Sequence, residues 1–295
     1  MRWGKHISLF VLLLAGAGTG FAQIGKLEKA LELYRAKQLD SARICIDSAA
    51  ANAQSRNEYN VWMVRGFVYK DLYRSRESAK PVSDYRNTAV ASFRQALALD
   101  TAGTGQQREG ILQSLKFLAA TYHNDINKTL DTLNYQTSLD NAASYVSLTK
   151  FLTPGFNEKE YNYEVYLTVG SMFEKEYEQA GTKFTLDLAK AYLFKAHDID
   201  SSSFLVNKDL GLLYYNQAVE IIRKMDVDVS LEELPVYQDK SVKLGRQALP
   251  YLLKAHGLKP DDTVVIEAVM GVYYLLNDME QYNLYKKKSE ELKGK

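Results

Sequence analysis

One phrase is written twice in this chain, as "YLFKAH" at 192–197 and as "YLLKAH" at 251–256. The matched phrases could mark a pair of chemically active histidines, His197 and His256, or an internal repeat that carries the histidines along. The surrounding residues favour the repeat. In both copies two alanines stand seven residues apart, Ala189 and Ala196, then Ala248 and Ala255. The same interval separates Ala42 from Ala49 and Ala89 from Ala96. Four residues after the first alanine of each pair stands a large residue: Ile46, Phe93, Leu193 and Leu252. Small residues two turns apart with a bulky one between them describe one face of a helix. The small residues admit a neighbouring helix, and the large one fills the space beside them.

Upstream of each such helix lies another with its own signature. "WMVRGFVY" holds Trp62, Gly66 and Tyr69, and "YLTVGSMF" holds Tyr166, Gly170 and Phe173. "KDLGLLYY" carries Gly211 and Tyr214, and "AVMGVYY" carries Gly271 and Tyr274. Ala119 and Tyr122, then Ala30 and Leu33, occupy the same places in two further segments. A glycine in mid-helix costs about 1 kcal/mol against alanine. Its recurrence three residues before an aromatic points to close helix–helix contact as compensation. Polar turns follow the second helices, with Pro154 and Pro260 at matching distance in two of them, and proline stops one helix and starts the next.

This pattern resembles the tetratricopeptide repeat, whose first helix reads Trp-x-x-Leu-Gly-x-x-Tyr and whose second reads Ala-x-x-x-Phe-x-x-Ala before a proline. Trp62, Gly66, Tyr69, Ala89, Phe93 and Ala96 follow it nearly in full. Five pairs and a partial sixth at 264–292 cover nearly all of the chain after the leader. The resemblance implies an all-α fold, a right-handed α-solenoid of five to six hairpins over residues 23–295. It also makes His197 and His256 equivalent places on different layers, not a converging pair.

The chain departs from the family at the elbow inside each repeat. Leu33 and Ala42 keep the family's spacing of nine residues, but Tyr69 to Ala89 spans 20, Tyr122 to Ala142 spans 20, and Phe173 to Ala189 spans 16. Tyr214 to Ala248 spans 34, and both limbs of that insert keep helical periodicity through Ala218, Ile221, Ile222 and Met225, then Val242 and Leu244. The reading is that both helices run past the normal elbow and join near Asp226–Pro235. The resulting two-helix spur is either one edge of a binding surface or a widening of the packing. Pro250 is expected to kink or restart the second helix.

The first residues are built differently. Arg2 and Lys5 precede the apolar run "ISLFVLLLAGAG", and small residues Gly20 and Ala22 lead to a cut after Ala22. That is the grammar of a secretory signal over 1–22. The run is too short and too rich in glycine for a stable span of roughly 20 residues. No cysteine follows it, so no lipid anchor is expected, and the membrane is met only through this leader. Export places the protein in the periplasm, in the envelope or outside a bacterium. The net charge of +1 predicts no nucleic-acid partner through bulk electrostatics. The lone Cys45 excludes an internal disulfide and reads as a small buried hydrophobe on an apolar stripe.

Catalytic chemistry is missing from the sequence. There is no phosphate-cradling glycine loop, no HExxH and no CxxC, and no acid–base pair or cofactor site to nominate. Asp198, Asp200, Ser202 and Asp209 are spaced only faintly like a calcium loop, without its glycine and final glutamate. No metal is expected. A non-enzymatic scaffold follows from the resemblance, with a protein or peptide partner held in the concave groove lined by first helices. The inward candidates flank the small residues: Met63, Phe67 and Lys70; Lys116, His123 and Asn124; Leu167, Ser171 and Glu174; Lys208, Leu212, Tyr215 and Asn216. The Lys-to-Asn set that grips a terminal carboxylate in the family is absent, since Ala120 and Leu212 stand where asparagine would. Twenty-one tyrosines leave an alternative open. Tyr69, Tyr122, Tyr214 and Tyr274 belong to the core, but Tyr161, Tyr163, Tyr166, Tyr215 and Tyr273 could stack on sugar rings.

Overall fold

The computed structural model describes residues 25–228, 230 and 232–294, so the leader at 1–22 lies outside it. Among the described residues the secondary structure is helical, with no strand. Residues 25–35 form α1, followed by α2 (Leu39–Ala51), α3 (Tyr59–Leu72), α4 (Asp84–Leu99), α5 (Arg108–Lys128) and α6 (Tyr135–Leu152). Then come α7 (Glu158–Ala180), α8 (Lys183–Ile199), α9 (Phe204–Asp228), α10 (Leu234–Leu258), α11 (Thr263–Leu275) and α12 (Met279–Lys293). The starts are set by short polar caps. Ser83, Asn157, Thr182, Asp262 and Asp278 each accept a backbone N–H three residues on, which satisfies donors the helix itself cannot.

The chain gathers into two compact units. The first holds α1 to α5 with residues 136–156, and the second holds Leu130–Tyr135 with everything from Asn157 onward. Each unit is compact by itself. Within each, helices pair as antiparallel hairpins in chain order, which is the arrangement of an α-solenoid. The partial sixth hairpin expected at 264–292 is the pair α11 and α12.

The small-and-large code of the sequence is what holds the hairpins together. All four alanine pairs and their intervening Ile46, Phe93, Leu193 and Leu252 are fully buried. The first-helix glycines lie directly against those large residues. A Cβ on Gly66 would overlap the Phe93 ring. On Gly170 it would stand 2.8 Å from Leu193 Cδ2 and 3.0 Å from its backbone nitrogen, and on Gly211 it would stand 2.7 Å and 3.1 Å from the same atoms of Leu252. Contact with backbone as well as side chain means that the second helix cannot step aside by a rotamer change. Gly271 differs, because its open side is filled by Tyr215 of α9. Tyr274, expected in the core, is 64% exposed. Its ring leans on Tyr282 of α12 instead.

The elbows absorb their extra residues in different ways. α9 and α10 do run on together, 25 residues each. Pro235 sits in the first turn of α10, where a missing N–H costs nothing. α10 continues through Pro250 without restarting. In the second hairpin part of the extra length is a π-helical turn, Tyr73–Glu77, added to α3. α7 and α8 are divided by Gly181 at φ 63°, a left-handed conformation that glycine adopts without strain. Cys45 is only partly buried, packed against the core of the first unit.

One buried charge braces the first unit. Arg86, 1% exposed, donates to Asp125 of α5 at 2.6 Å, to Asn141 of α6 at 3.0 Å and to the Pro81 carbonyl at 2.8 Å. Its guanidinium also lies 3.9 Å from the Tyr122 ring centroid. The bidentate, stacked setting suits arginine and would not suit lysine.

Two outcomes follow for chemical denaturation. Gly211→Ala destabilises the protein by about 1–3 kcal/mol through overpacking against Leu252, whereas Gly257→Ala, with open space around it, is neutral or stabilises by up to about 1 kcal/mol. Asp125→Ala, which strands Arg86 in the interior, costs about 3–5 kcal/mol.

Candidate functional site

The first helices of each unit present side chains that the hairpin cores do not use. In the first unit these come from α3, its π-helical turn and α5. Phe67, Lys70 and Arg74 face Gln107, Gln113, Ser114 and Phe117 across a cavity of about 350 Å³. Phe67 is anchored edge-on against Phe93 at 5.0 Å. The Lys70 ammonium lies 4.8 Å from the Phe67 ring centroid and donates to Ser114 Oγ at 3.3 Å. The Arg74 guanidinium lies 5.7 Å from the ring of Phe117, which is 40% exposed. Neither cation forms an ion pair with a carboxylate among the described residues. Asp71, next in sequence to Lys70, is taken by the Tyr34 hydroxyl at 3.0 Å and by Lys37 at 4.0 Å. Burial lowers the pKa of Lys70, and the nearby positive charges of Arg74 and Lys37 add to the effect against Asp71.

In the second unit the corresponding face is made by α7, α9 and α11. Ser171 donates to Asp209 at 2.6 Å, Asn216 to Glu178 at 2.8 Å and Tyr177 to Glu220 at 2.6 Å, all between α7 and α9. Lys208 of α9 reaches Asp262, the N-cap of α11, at 3.3 Å. A cavity of about 470 Å³ opens beside the C-terminal half of α7, lined by Tyr177, Glu178, Asn216, Glu220 and Arg223. One turn before Glu178 stands Glu174. It is 8% exposed and has neither a hydrogen bond nor an ion pair. Burial, then the negative charges of Asp209 and Glu178, push its pKa up to about 9 against the pull of Lys208. Burial also raises Asp209, opposed by the Ser171 hydrogen bond and by Lys208.

No protein-family model and no curated protein matches this chain. Solved structures that overlay on it are only distantly similar. A monomeric mutant of IFIT1 with Gppp-AAAA is 14% identical over 90% of this chain and 49% of its own, with a TM-score of 0.35; this chain thus spans about half of its length. PilW, a widely conserved type IV pilus biogenesis factor, is 14% identical over 90% of this chain and 91% of its own, with a TM-score of 0.29. MamA MSR-1 C2 is 14% identical over 92% and 97%, with a TM-score of 0.25. Scores at this level place no ligand or partner on this chain.

The residues expected to line a groove divide among several roles. Phe67 and Lys70 border the first cavity, while Met63 lies in the core at 9% exposure. Lys116 and Asn124 are exposed, and the His123 ring is turned toward Tyr145 of α6 at 5.0 Å. Leu167 is half-buried. Ser171, Glu174, Lys208 and Asn216 belong to the polar face of the second unit, Leu212 packs on the core of its last hairpins, and Tyr215 covers Gly271. Arg74, Phe117 and Glu178 are not among the sequence candidates, and Asp209 entered only through its faint calcium-loop spacing. The signal for two of them was present, since Arg74 follows Lys70 and Glu178 follows Glu174 by four residues, the spacing that shares a helix face.

The duplicated histidines do not meet. His197 of α8 packs on Tyr251 of α10, and His256 of α10 packs on Tyr285 of α12. Each leans on the aromatic of the next second helix, as equivalent positions in a stack should. Among the described residues no group of histidine, cysteine and acidic side chains could hold a metal ion, and no helix is long and apolar enough to cross a membrane. Asp200 caps its own turn through Ser202. Tyr161, Tyr163, Tyr166, Tyr215 and Tyr273 are all half-buried; Tyr163 shares a hydrogen bond with Ser203, Tyr166 lies against Tyr192 and Tyr273 against Tyr285.

Glu174 makes stability depend on pH in a defined direction. The folded chain holds a proton that the unfolded chain releases near pH 4.5, so this group's contribution is most favourable below that pH and is lost as pH rises toward 9. Glu174→Gln, neutral and of the same shape, removes the loss. Thermal or urea melts compared across pH should show the variant and the parent close at pH 4.5 and the variant more stable by at least about 2 kcal/mol near pH 8.

Proposed function

We propose that this protein is a non-enzymatic scaffold that binds partner polypeptides on the first-helix faces of its hairpin stacks, within the envelope of a bacterium. The observation that carries the reading is the cavity between α3 and α5. Lys70 and Arg74 stand over aromatic rings with no carboxylate to neutralise them, and glutamine and serine donors surround them. A half-buried lysine and an exposed arginine, each backed by phenylalanine, suit an acidic side chain on an extended segment. The rings supply contact area, and the cations supply charge-assisted hydrogen bonds. The envelope location is supported by the leader grammar of residues 1–22 and lies outside the described residues.

Selection of dodecapeptides from a random display library on the full chain tests this. The selected peptides should carry an aspartate or glutamate at one shared position. Lys70→Ala, at the half-buried cation, should weaken them by at least about tenfold, as truncating one partner of a desolvated charge pair does, and Arg74→Ala, at the exposed one, by a smaller factor. Crosslinking in the native envelope should capture a protein. Enrichment of glycan alone, or turnover of a small substrate, would overturn the reading.

A further inference from the structure

The second unit offers the opposite charge. Glu174 is more than nine-tenths buried and has no partner, yet its oxygens are not among the atoms sealed from solvent. A small part of it is therefore reachable from solvent. Asp209 stands across from it on α9, and Glu178 one turn along α7; both act on its charge. The cation nearest to this group, Lys208, is drawn off by Asp262 at 3.3 Å. Ser171 and Asn216 hold Asp209 and Glu178 in place from the opposite helix, so the acidic groups are fixed before anything binds. A carboxyl left buried and unpaired is expensive, and an arriving cation would recover that cost.

Metal ions do not fit, because no three acidic or histidine side chains among the described residues come close enough to coordinate one. An organic cation does fit. Its charge is spread over an ammonium or guanidinium group, and its donors can reach carboxylates on two helices without drawing them together. The neighbouring cavity lined by Tyr177, Glu178 and Asn216 has room for the stem of such a side chain and the backbone that carries it. We propose that Glu174 and Asp209 form the binding point for a basic side chain, lysine or arginine, of a partner polypeptide.

This proposal rests on the scaffold reading, and the test separates the two. Display selection on the full wild-type chain should yield peptides with a lysine or arginine at one shared position. A fluorescently labelled copy of the strongest should bind Glu174→Gln at least tenfold more weakly, with the exposed Glu280→Gln leaving that binding unchanged. The glutamine keeps the shape of the side chain but cannot ionise to meet a cation, so loss of binding in a cooperatively melting variant is a loss of recognition. Equal binding by the parent and Glu174→Gln overturns the site. So does a selection that returns only acidic peptides sensitive to Arg74→Ala, which leaves the scaffold reading standing. A selection that returns no binder overturns both.

Discussion

The close approach of a glycine to the large residue facing it in its own hairpin is the contact on which the rest depends. Gly66, Gly170 and Gly211 lie against Phe93, Leu193 and Leu252 at distances that no side chain could share. Each helix taken singly is too amphipathic to stand in water and too short of internal contacts to hold its shape. Bringing two backbones this near lets each large residue bury completely between the alanines that flank it. Layers then stack because every hairpin still has one apolar side to cover. Gly271 shows the rule by its exception. Its neighbour is a tyrosine from the preceding hairpin, and its own helix ends with an exposed Tyr274.

Charged side chains take two forms, and the contrast separates architecture from function. Arg86 has an acid, an amide, a carbonyl and an aromatic face around it. Nothing further could bind there without breaking the fold. Lys70, Arg74 and Glu174 are only partly provided for. Lys70 and Arg74 keep charge that no described carboxylate neutralises, and Glu174 holds its proton for want of a cation, at surfaces where a ligand could still reach them. Burial without pairing raises the free energy of the unliganded protein, which is how a binding surface can be specific while offering few contacts.

The candidate surfaces were half legible in the sequence. Flanking positions of the small residues led to Phe67, Lys70, Ser171, Glu174, Lys208 and Asn216, which do lie on the first-helix faces. The same rule led to Met63, which is core, and to His123, which turns to Tyr145. A helix position has a direction only relative to its neighbours, and a few tens of degrees of rotation exchange groove for interface. Asp209 illustrates the harder case. Only the pairing of α7 with α9, 38 residues apart at Ser171, brings it opposite Glu174, and no local spacing encodes that.

What the sequence determined by itself was the helical hairpin and its order along the chain. The seven-residue alanine spacing, the glycine before an aromatic and the proline after a polar turn are local rules, and local rules act through neighbouring turns of the same helix. It also determined that the longest elbow would be two continuing helices, since the hydrophobic period survives on both limbs. The tertiary structure alone decided that contacts gather into two compact units, that the second elbow includes a π-helical turn, and which charges are left without partners. Those outcomes depend on how neighbouring hairpins seat against one another, and burial and pairing are properties of that seating rather than of any residue in it.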